Sequence, residues 1–470
     1  MKIEQIYTGC LAEAAYYIES DGEVAIIDPL RETRPYTDRV DADQAQIKYI
    51  FETHFHADFV SGHIDLAAKT GATIVFGPTA QPNYPAHIAA DGEEFSVGKI
   101  TIRVLHTPGH TMESSTFLLL DETGKATAIF TGDTLFIGDV GRPDLAVKSD
   151  LTREDLAGYL YDSLHQKIMT LPNEVIVYPG HGAGSACGKN MSKETTDTLG
   201  NQKLFNYALR AQSKADFIQD VTAGLKTPPQ YFPKNAVLNK MGYGNIDDVM
   251  QQGSRALSPA AFEAAANEEN ALILDVRDAP TFASGFIPNA INIGLDGQFA
   301  GWVGTLITDL KQPLLLVTSE GQQEEAVLRL ARVGYDNCIG YLNGGMTAWI
   351  ASGRAVDTIT SIPAETFAAR FESNPGLPVL DVRRKSEYDS EHVLGVENLP
   401  LESLNDNMAR IDRTKTYYVH CAGGYRSMIA LSILKARGYD NLIDVAGGFA
   451  ALKATDKLPL TDYVCPTTLL

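Results

Sequence analysis

At the ends of its apolar runs this chain repeatedly leaves a histidine or an aspartate. Four segments do so: His54-Phe55-His56-Ala57-Asp58-Phe59, Thr107-Pro108-Gly109-His110-Thr111, Thr131-Gly132-Asp133-Thr134 and Tyr178-Pro179-Gly180-His181-Gly182. Three of them directly follow strand-like runs, KYIFETH (48–54), TAIFTGD (127–133) and EVIVYPGH (174–181). Strands that end in polar clusters place site residues on the loops behind them. A lone histidine is usually structural or exposed, but four such segments behind successive strands form a candidate metal constellation. Further runs, EVAIID (23–28) and TIVFG (73–77), and helical periodicity near 62–70, 152–170 and 200–223 make residues 1–225 sheets covered by helices.

The whole chain has 470 residues, enough for about three domains of roughly 150 residues each. Its net charge is −20, the wrong sign for a generic binder of nucleic acid or anionic membrane. No apolar run reaches the ~18–20 residues of a membrane span, and the start MKIEQIYTGC has no signal-peptide pattern. The five cysteines form no disulfide framework and no C-x-x-C pair, as expected of a cytoplasmic protein with one or two working thiols.

His54, His56 and Asp58 fill the first three positions of H-x-H-x-D-H, the metal motif of the metallo-β-lactamase superfamily, which residues 1–225 resemble. Phe59 stands where the last histidine would help hold a second metal. Within that superfamily the chain looks most like the persulfide dioxygenases, through Thr8-Gly9-Cys10-Leu11-Ala12 and the block from Gly132 to Leu145 (GDTLFIGDVGRPDL). The resemblance implies one Fe(II) per chain, held by His54, His110 and Asp133 as a facial triad with open positions for substrate and O₂. His56, Asp58 and His181 then orient ligands or contact substrate. Phe59 closes the second site. A single Zn²⁺ on His54, His56 and His110 that activates water is the competing arrangement.

Cys187 lies in the Gly-rich stretch Gly182-Ala183-Gly184-Ser185-Ala186-Cys187-Gly188-Lys189. If this loop folds over the metal, Cys187 meets the substrate persulfide and Lys189 adds charge for an anion; a buried structural thiol is the alternative. Arg142 is the candidate for fixing a substrate carboxylate or phosphate, unless it pairs with Asp139 or Asp144.

Residues 226–255 are expected as a linker, with prolines that stop regular structure and aromatics that lie against a surface. Two copies of one pattern follow, 256–356 and 360–457, and then a tail, 458–470. Leu274-Asp275-Val276-Arg277 matches Leu380-Asp381-Val382-Arg383, and Gly344-Gly345 matches Gly447-Gly448. Strand-like and helical stretches alternate in each copy, the pattern of a parallel sheet with helices on both faces.

The second copy carries Cys421-Ala422-Gly423-Gly424-Tyr425-Arg426 between a strand and a helix. A helix N-terminus and converging N–H groups stabilise a thiolate. Gly423 and Gly424 let the backbone curl round the sulfur, and Arg426 adds positive charge. This loop resembles the persulfide-carrying loop of rhodanese sulfurtransferases. The first copy has Ser319, Glu324 and Glu325 at the aligned positions, so it is expected to be a non-catalytic rhodanese-like domain that spaces or docks the others.

The resemblances imply an α/β fold, a metallo-β-lactamase αββα sandwich followed by two rhodanese-like domains with parallel sheets. The resemblance implies oxidation of a thiol persulfide (of glutathione, coenzyme A or a similar thiol) by O₂ to sulfite. Sulfur transfer through Cys421 then gives thiosulfate, the whole serving sulfide detoxification. A homo-oligomer is expected, because the fold often dimerises. Two rivals stay open: a zinc-dependent glyoxalase II-like thiolester hydrolase, and a sulfur carrier with a structural metal.

Overall fold

The computed structural model describes residues 1–146, 151–225 and 227–465. They form two compact units, Met1–Ile246 with Ala331–Gly334, and Asp247–Leu330 with Tyr335–Leu470.

The first unit is built on two six-stranded sheets. One runs Lys2–Thr8, Glu13–Ser20, Glu23–Ile27, Gln46–Glu52, Thr73–Phe76, His87–Ile88. The other runs Asp197–Thr198, Ile176–Pro179, Ala126–Gly132, Ser115–Leu120, Ile100–His106, Glu94–Val97. Alternation along the strands sends one set of side chains between the sheets. Ile18, Phe51, Phe117 and Phe130 meet there with Val75 and Val104. The opposite faces are also apolar, and helices cover them. Helices Arg34–Asp43 and His63–Thr70 bring Tyr36 and Leu66 onto Ile26 and Ile50. Helices Arg153–Ser163 and Lys214–Thr222 bring Leu160 and Phe217 onto Ile129 and Val177. The result is the αββα sandwich expected from the strand and helix pattern. The His- and Asp-bearing loops leave the strand ends Glu52, His106, Gly132 and Pro179.

The stretch 226–255 is more regular than its prolines imply. It carries helices Phe232–Met241 and Ile246–Gly253. Pro233 occupies the first helical turn, where a missing N–H goes unused. The aromatics do lie against a surface: the Arg31 guanidinium stacks 3.8 Å over the Tyr243 ring. Lys226, and residues 466–470 of the tail, lie outside the described residues.

The second unit holds two five-stranded parallel sheets of the same strand order. Their central strands, Leu314–Val317 and Tyr417–His420, are buried at every position, as parallel strands with helices on both faces must be. The copies repeat each other to the level of single hydrogen bonds. Arg277 pairs with Asp275 and donates to Gly285 O, and Arg383 pairs with Asp381 and donates to Glu391 O, both carbonyl contacts at 2.9 Å. Asn292 and Asn398 each cap the same two carbonyls of that turn. Among the described residues no helix is long and apolar enough to cross a membrane.

Candidate metal centre and sulfur site

Three buried groups of metal-type side chains adjoin the loop 54–59. His54, His110 and Asp133 form the first: the Asp133 carboxylate lies 4.0 Å from His54 Nε2 and 3.4 Å from His110 Nε2. Asp58, His181 and Cys187 form the second, and Asp28, Glu52 and His56 the third. All nine residues are buried.

The surroundings fix which atoms face inward. His110 Nδ1 is 2.9 Å from the Arg142 carbonyl, so its Nε2 is the open nitrogen. His54 Nδ1 meets Thr53 Oγ1 at 3.0 Å, and Thr53 is itself held by both oxygens of Asp28 at 2.7 and 2.8 Å. Such outer partners set the tautomer and the ring plane. Asp133 Oδ1 accepts from His181 at 2.7 Å, while Asp133 Oδ2 is buried without a hydrogen-bond partner. An unmatched carboxylate oxygen beside two imidazole nitrogens fits a cation. Burial lowers the His54 pKa well below the usual imidazole range, so the ring is neutral, as a ligand must be. Burial opposes the charge on Asp133, but the imidazoles of His181 and His110 outweigh it and hold that carboxyl far down.

His181 is committed at both nitrogens, to Asp133 through Nδ1 and to Asp58 through Nε2, each at 2.7 Å. Burial alone lowers its pKa; the two carboxylates reverse that and raise it. His56 turns toward Asp28, 3.1 Å from its Nε2, and the Phe59 ring packs over it at 4.3 Å between centroids. Burial, then Asp58 and Asp133, push the Cys187 thiol up.

The two candidate cations are engaged elsewhere. Arg142 is buried on Asp144, at 2.6 and 2.7 Å, and donates to the Ala186 carbonyl. The Lys189 ammonium is bound by the carbonyls of Asp220 and Ala223. The Arg142 carbonyl faces His110 Nδ1, and the Arg142 N–H donates to Cys187 O at 3.0 Å.

Asn239 is a site residue that sequence reasoning missed. It lies in the helix Phe232–Met241, fully buried. Its amide donates to His56 O at 2.7 Å and Phe59 O at 2.8 Å, and its oxygen accepts from Ser61 N at 2.9 Å. Nothing local in the sequence marks it, because its partners lie about 180 positions away. Asp28 and Glu52 were also missed, although each ends an apolar run as the other site residues do. Asn239→Ala is expected to cost about 2–4 kcal/mol, since it strands three buried backbone groups of the histidine loop. Thermal unfolding and the metal content of the purified variant check this; an unchanged Tm with full metal would contradict it.

In the second unit, Cys421 follows the strand Tyr417–His420, and the helix Tyr425–Ala436 starts four residues later. Gly424 N–H donates to Cys421 Sγ at 3.1 Å. Gly424 has φ +109°, a conformation that side-chained residues rarely adopt. At Gly423 a side chain would meet open space. Arg426 forms two bonds to Glu387, at 2.6 and 2.8 Å. At the aligned place in the first copy Glu324 and Glu325 open the helix Gln323–Ala331, and Glu325 pairs with Arg329.

The family model for the metallo-β-lactamase superfamily matches residues 8–181, and that for rhodanese-like domains matches 258–352 and 363–455. A metallo-β-lactamase from Staphylococcus aureus, known as a crystal structure, is 32% identical with a TM-score of 0.64, over 73% of this chain and 98% of that one. The human mitochondrial persulfide dioxygenase ETHE1 is 32% identical over 35% of this chain and 59% of its own length. A hydroxyacylglutathione hydrolase of Methylococcus capsulatus is 33% identical over 48% of this chain and 85% of its own. This chain spans 57%, 47% and 59% of the lengths of three curated relatives that it matches. The chain belongs to the metallo-β-lactamase superfamily, joined to two rhodanese-like domains and similar to the persulfide dioxygenases.

Proposed function

We propose that the chain oxidises a low-molecular-weight thiol persulfide with O₂ at one Fe(II) and passes sulfane sulfur through Cys421 to make thiosulfate. His54, His110 and Asp133 would hold the iron, which supplies the oxygen chemistry from positions left open for both reactants. The balance is R–S–SH + O₂ + H₂O → R–SH + SO₃²⁻ + 2 H⁺. Cys421–S–SH then gives its terminal sulfur to sulfite, forming thiosulfate and Cys421–SH.

One observation carries this reading. The Phe59 ring packs over His56, at 4.3 Å between centroids, where a two-metal site of this superfamily would need a ligand. The chain's own groups have separate tasks. The Arg142 carbonyl and Thr53 orient the two imidazoles. Asp58 positions His181, and His181 positions Asp133. The buried surroundings of the triad keep bulk water out. The Gly424 N–H stabilises negative charge on Cys421 sulfur.

The deciding experiment is O₂ consumption by anaerobically purified protein given glutathione persulfide, with iron and zinc counted on the same sample. Rapid uptake with about one iron per chain and sulfite or thiosulfate as product supports the proposal. A zinc thiolester hydrolase is the second reading, favoured by the similarity to hydroxyacylglutathione hydrolases. Zinc as the only metal, with thiolester cleavage and no O₂ uptake, would establish it instead. Phe59→His is expected to raise metal content toward two ions per chain; a count that stays at one would show that Phe59 does not set the stoichiometry.

A further inference from the structure

Cys421 lines a cleft of about 470 Å³ whose walls come from both rhodanese-like copies. The first copy, which has Ser319 in place of a cysteine, contributes Asp296, Gly297, Gln298 and Trp302. The two walls are fastened at the cysteine loop itself. The Tyr425 hydroxyl donates to Gly294 O at 2.7 Å. Its ring lies so near Gly297 that a Cβ there would come within 2.4 Å of it. In the helix behind Cys421, Ser432 Oγ accepts from Asn292 N at 2.9 Å. The loop 294–298 of the first copy is therefore held at the sulfur site by residues that belong to the cysteine loop and its helix.

The charges in this cleft are not equivalent. Arg426 is already matched by Glu387. Arg384 on one wall and Asp296 on the other are exposed, and neither forms an ion pair, with each other or with any other described residue. A guanidinium and a carboxylate that share a cleft without meeting leave room for a ligand that bridges them. Trp302 adds an apolar wall. Sulfite, thiosulfate and cyanide are small anions that use little of this width, whereas a cleft of several hundred Å³ suits an organic molecule.

Building on the reading that Cys421 carries sulfane sulfur, we propose that this cleft selects a zwitterionic thiol persulfide. The donor's carboxylate pairs with Arg384, and its ammonium pairs with Asp296 of the copy that lacks the cysteine. That copy is thus the half of the sulfurtransferase site that recognises the carrier. In the transfer, the Cys421 thiolate attacks the terminal sulfur of R–S–SH. The old S–S bond breaks as the new one forms, R–S⁻ leaves and takes a proton from solvent, and Cys421–S–SH remains, with no net oxidation.

The test uses the full-length protein under anaerobic conditions, with cyanide as acceptor and thiocyanate as readout. Four donors are compared, each corrected for its uncatalysed rate: the persulfides of cysteine (both charges), 3-mercaptopropionate (carboxylate only), cysteamine (ammonium only) and 2-mercaptoethanol (neither). The cysteine persulfide is expected to have kcat/KM at least about tenfold above the other three, as one charge-assisted contact more provides. Arg384→Gln should lower kcat/KM about tenfold for the two donors with a carboxylate and spare cysteamine persulfide. Asp296→Asn should do the reverse, lowering it for the two donors with an ammonium and sparing 3-mercaptopropionate persulfide. Equal kcat/KM for all four donors, or equal losses across donors in the variants, would overturn the proposal. Thiocyanate formation that survives Cys421→Ser would instead overturn the underlying reading of Cys421, whatever the donor preference.

Discussion

Asp133→Ala is expected to abolish iron retention and persulfide-dependent O₂ uptake while Cys421-dependent sulfur transfer to cyanide survives. Asp133 is the only carboxylate of the triad, and its Oδ2 is buried without a partner. Removing it leaves two imidazoles and no charged ligand, a pair that binds a hard divalent ion far more weakly than the three groups do together. The substitution also takes one of the two partners from His181, a cost of about 1–3 kcal/mol. Asp133→Asn separates the two effects, because it keeps a polar partner of the same size for His181 and removes the charge that holds the ion. Metal analysis, O₂ electrode traces and thiocyanate formation on both variants check the assignment. Normal iron content in either would refute it.

Cys421→Ser should give the opposite phenotype: O₂ uptake continues, sulfite accumulates, and thiosulfate formation falls by at least about a hundredfold. A serine hydroxyl at this position has the same helix end and the same Gly424 N–H but cannot carry a sulfane sulfur. The other candidates are poorly placed to take over. Ser319 stands at the aligned position of the first copy. Cys187 is buried, and that burial raises its thiol pKa. Ion chromatography of sulfite and thiosulfate during persulfide turnover is the direct measurement. Unchanged thiosulfate would transfer the role to Cys187 or to uncatalysed exchange between persulfide and sulfite.

Both arms depend on features with different visibility in the sequence. The histidine and aspartate segments stand out because strand alternation and turn residues act over a few positions, so a ligand at a strand end is marked by the run before it. The same locality exposed the cysteine loop, and the tandem repeat was visible as one pattern written twice. The segment 226–255 was harder. Its prolines pointed to irregular chain, yet a proline in a first helical turn costs nothing, and Asn239 from that helix braces the histidine loop. Arg142 and Lys189 stand out in the sequence by their charge, but charge in a sequence does not say whether a partner is already in place. Here Asp144 and two helix-end carbonyls take them up.

The order of strands and helices, the two-copy pattern, the residue types of the metal loops and the thiol of the second copy all follow from local sequence. They arise from interactions between neighbours in the chain, and those are encoded position by position. Which nitrogen of His110 is open, that His181 is spent on two carboxylates, that His56 faces Asp28, and that Arg384 and Asp296 share a cleft with Cys421 are decided only by tertiary packing. Each of these turns on a hydrogen bond, an ion pair or its absence between segments far apart in the chain. Such pairs form because burial makes an unmatched polar group expensive, and where the match is found depends on how the whole unit closes.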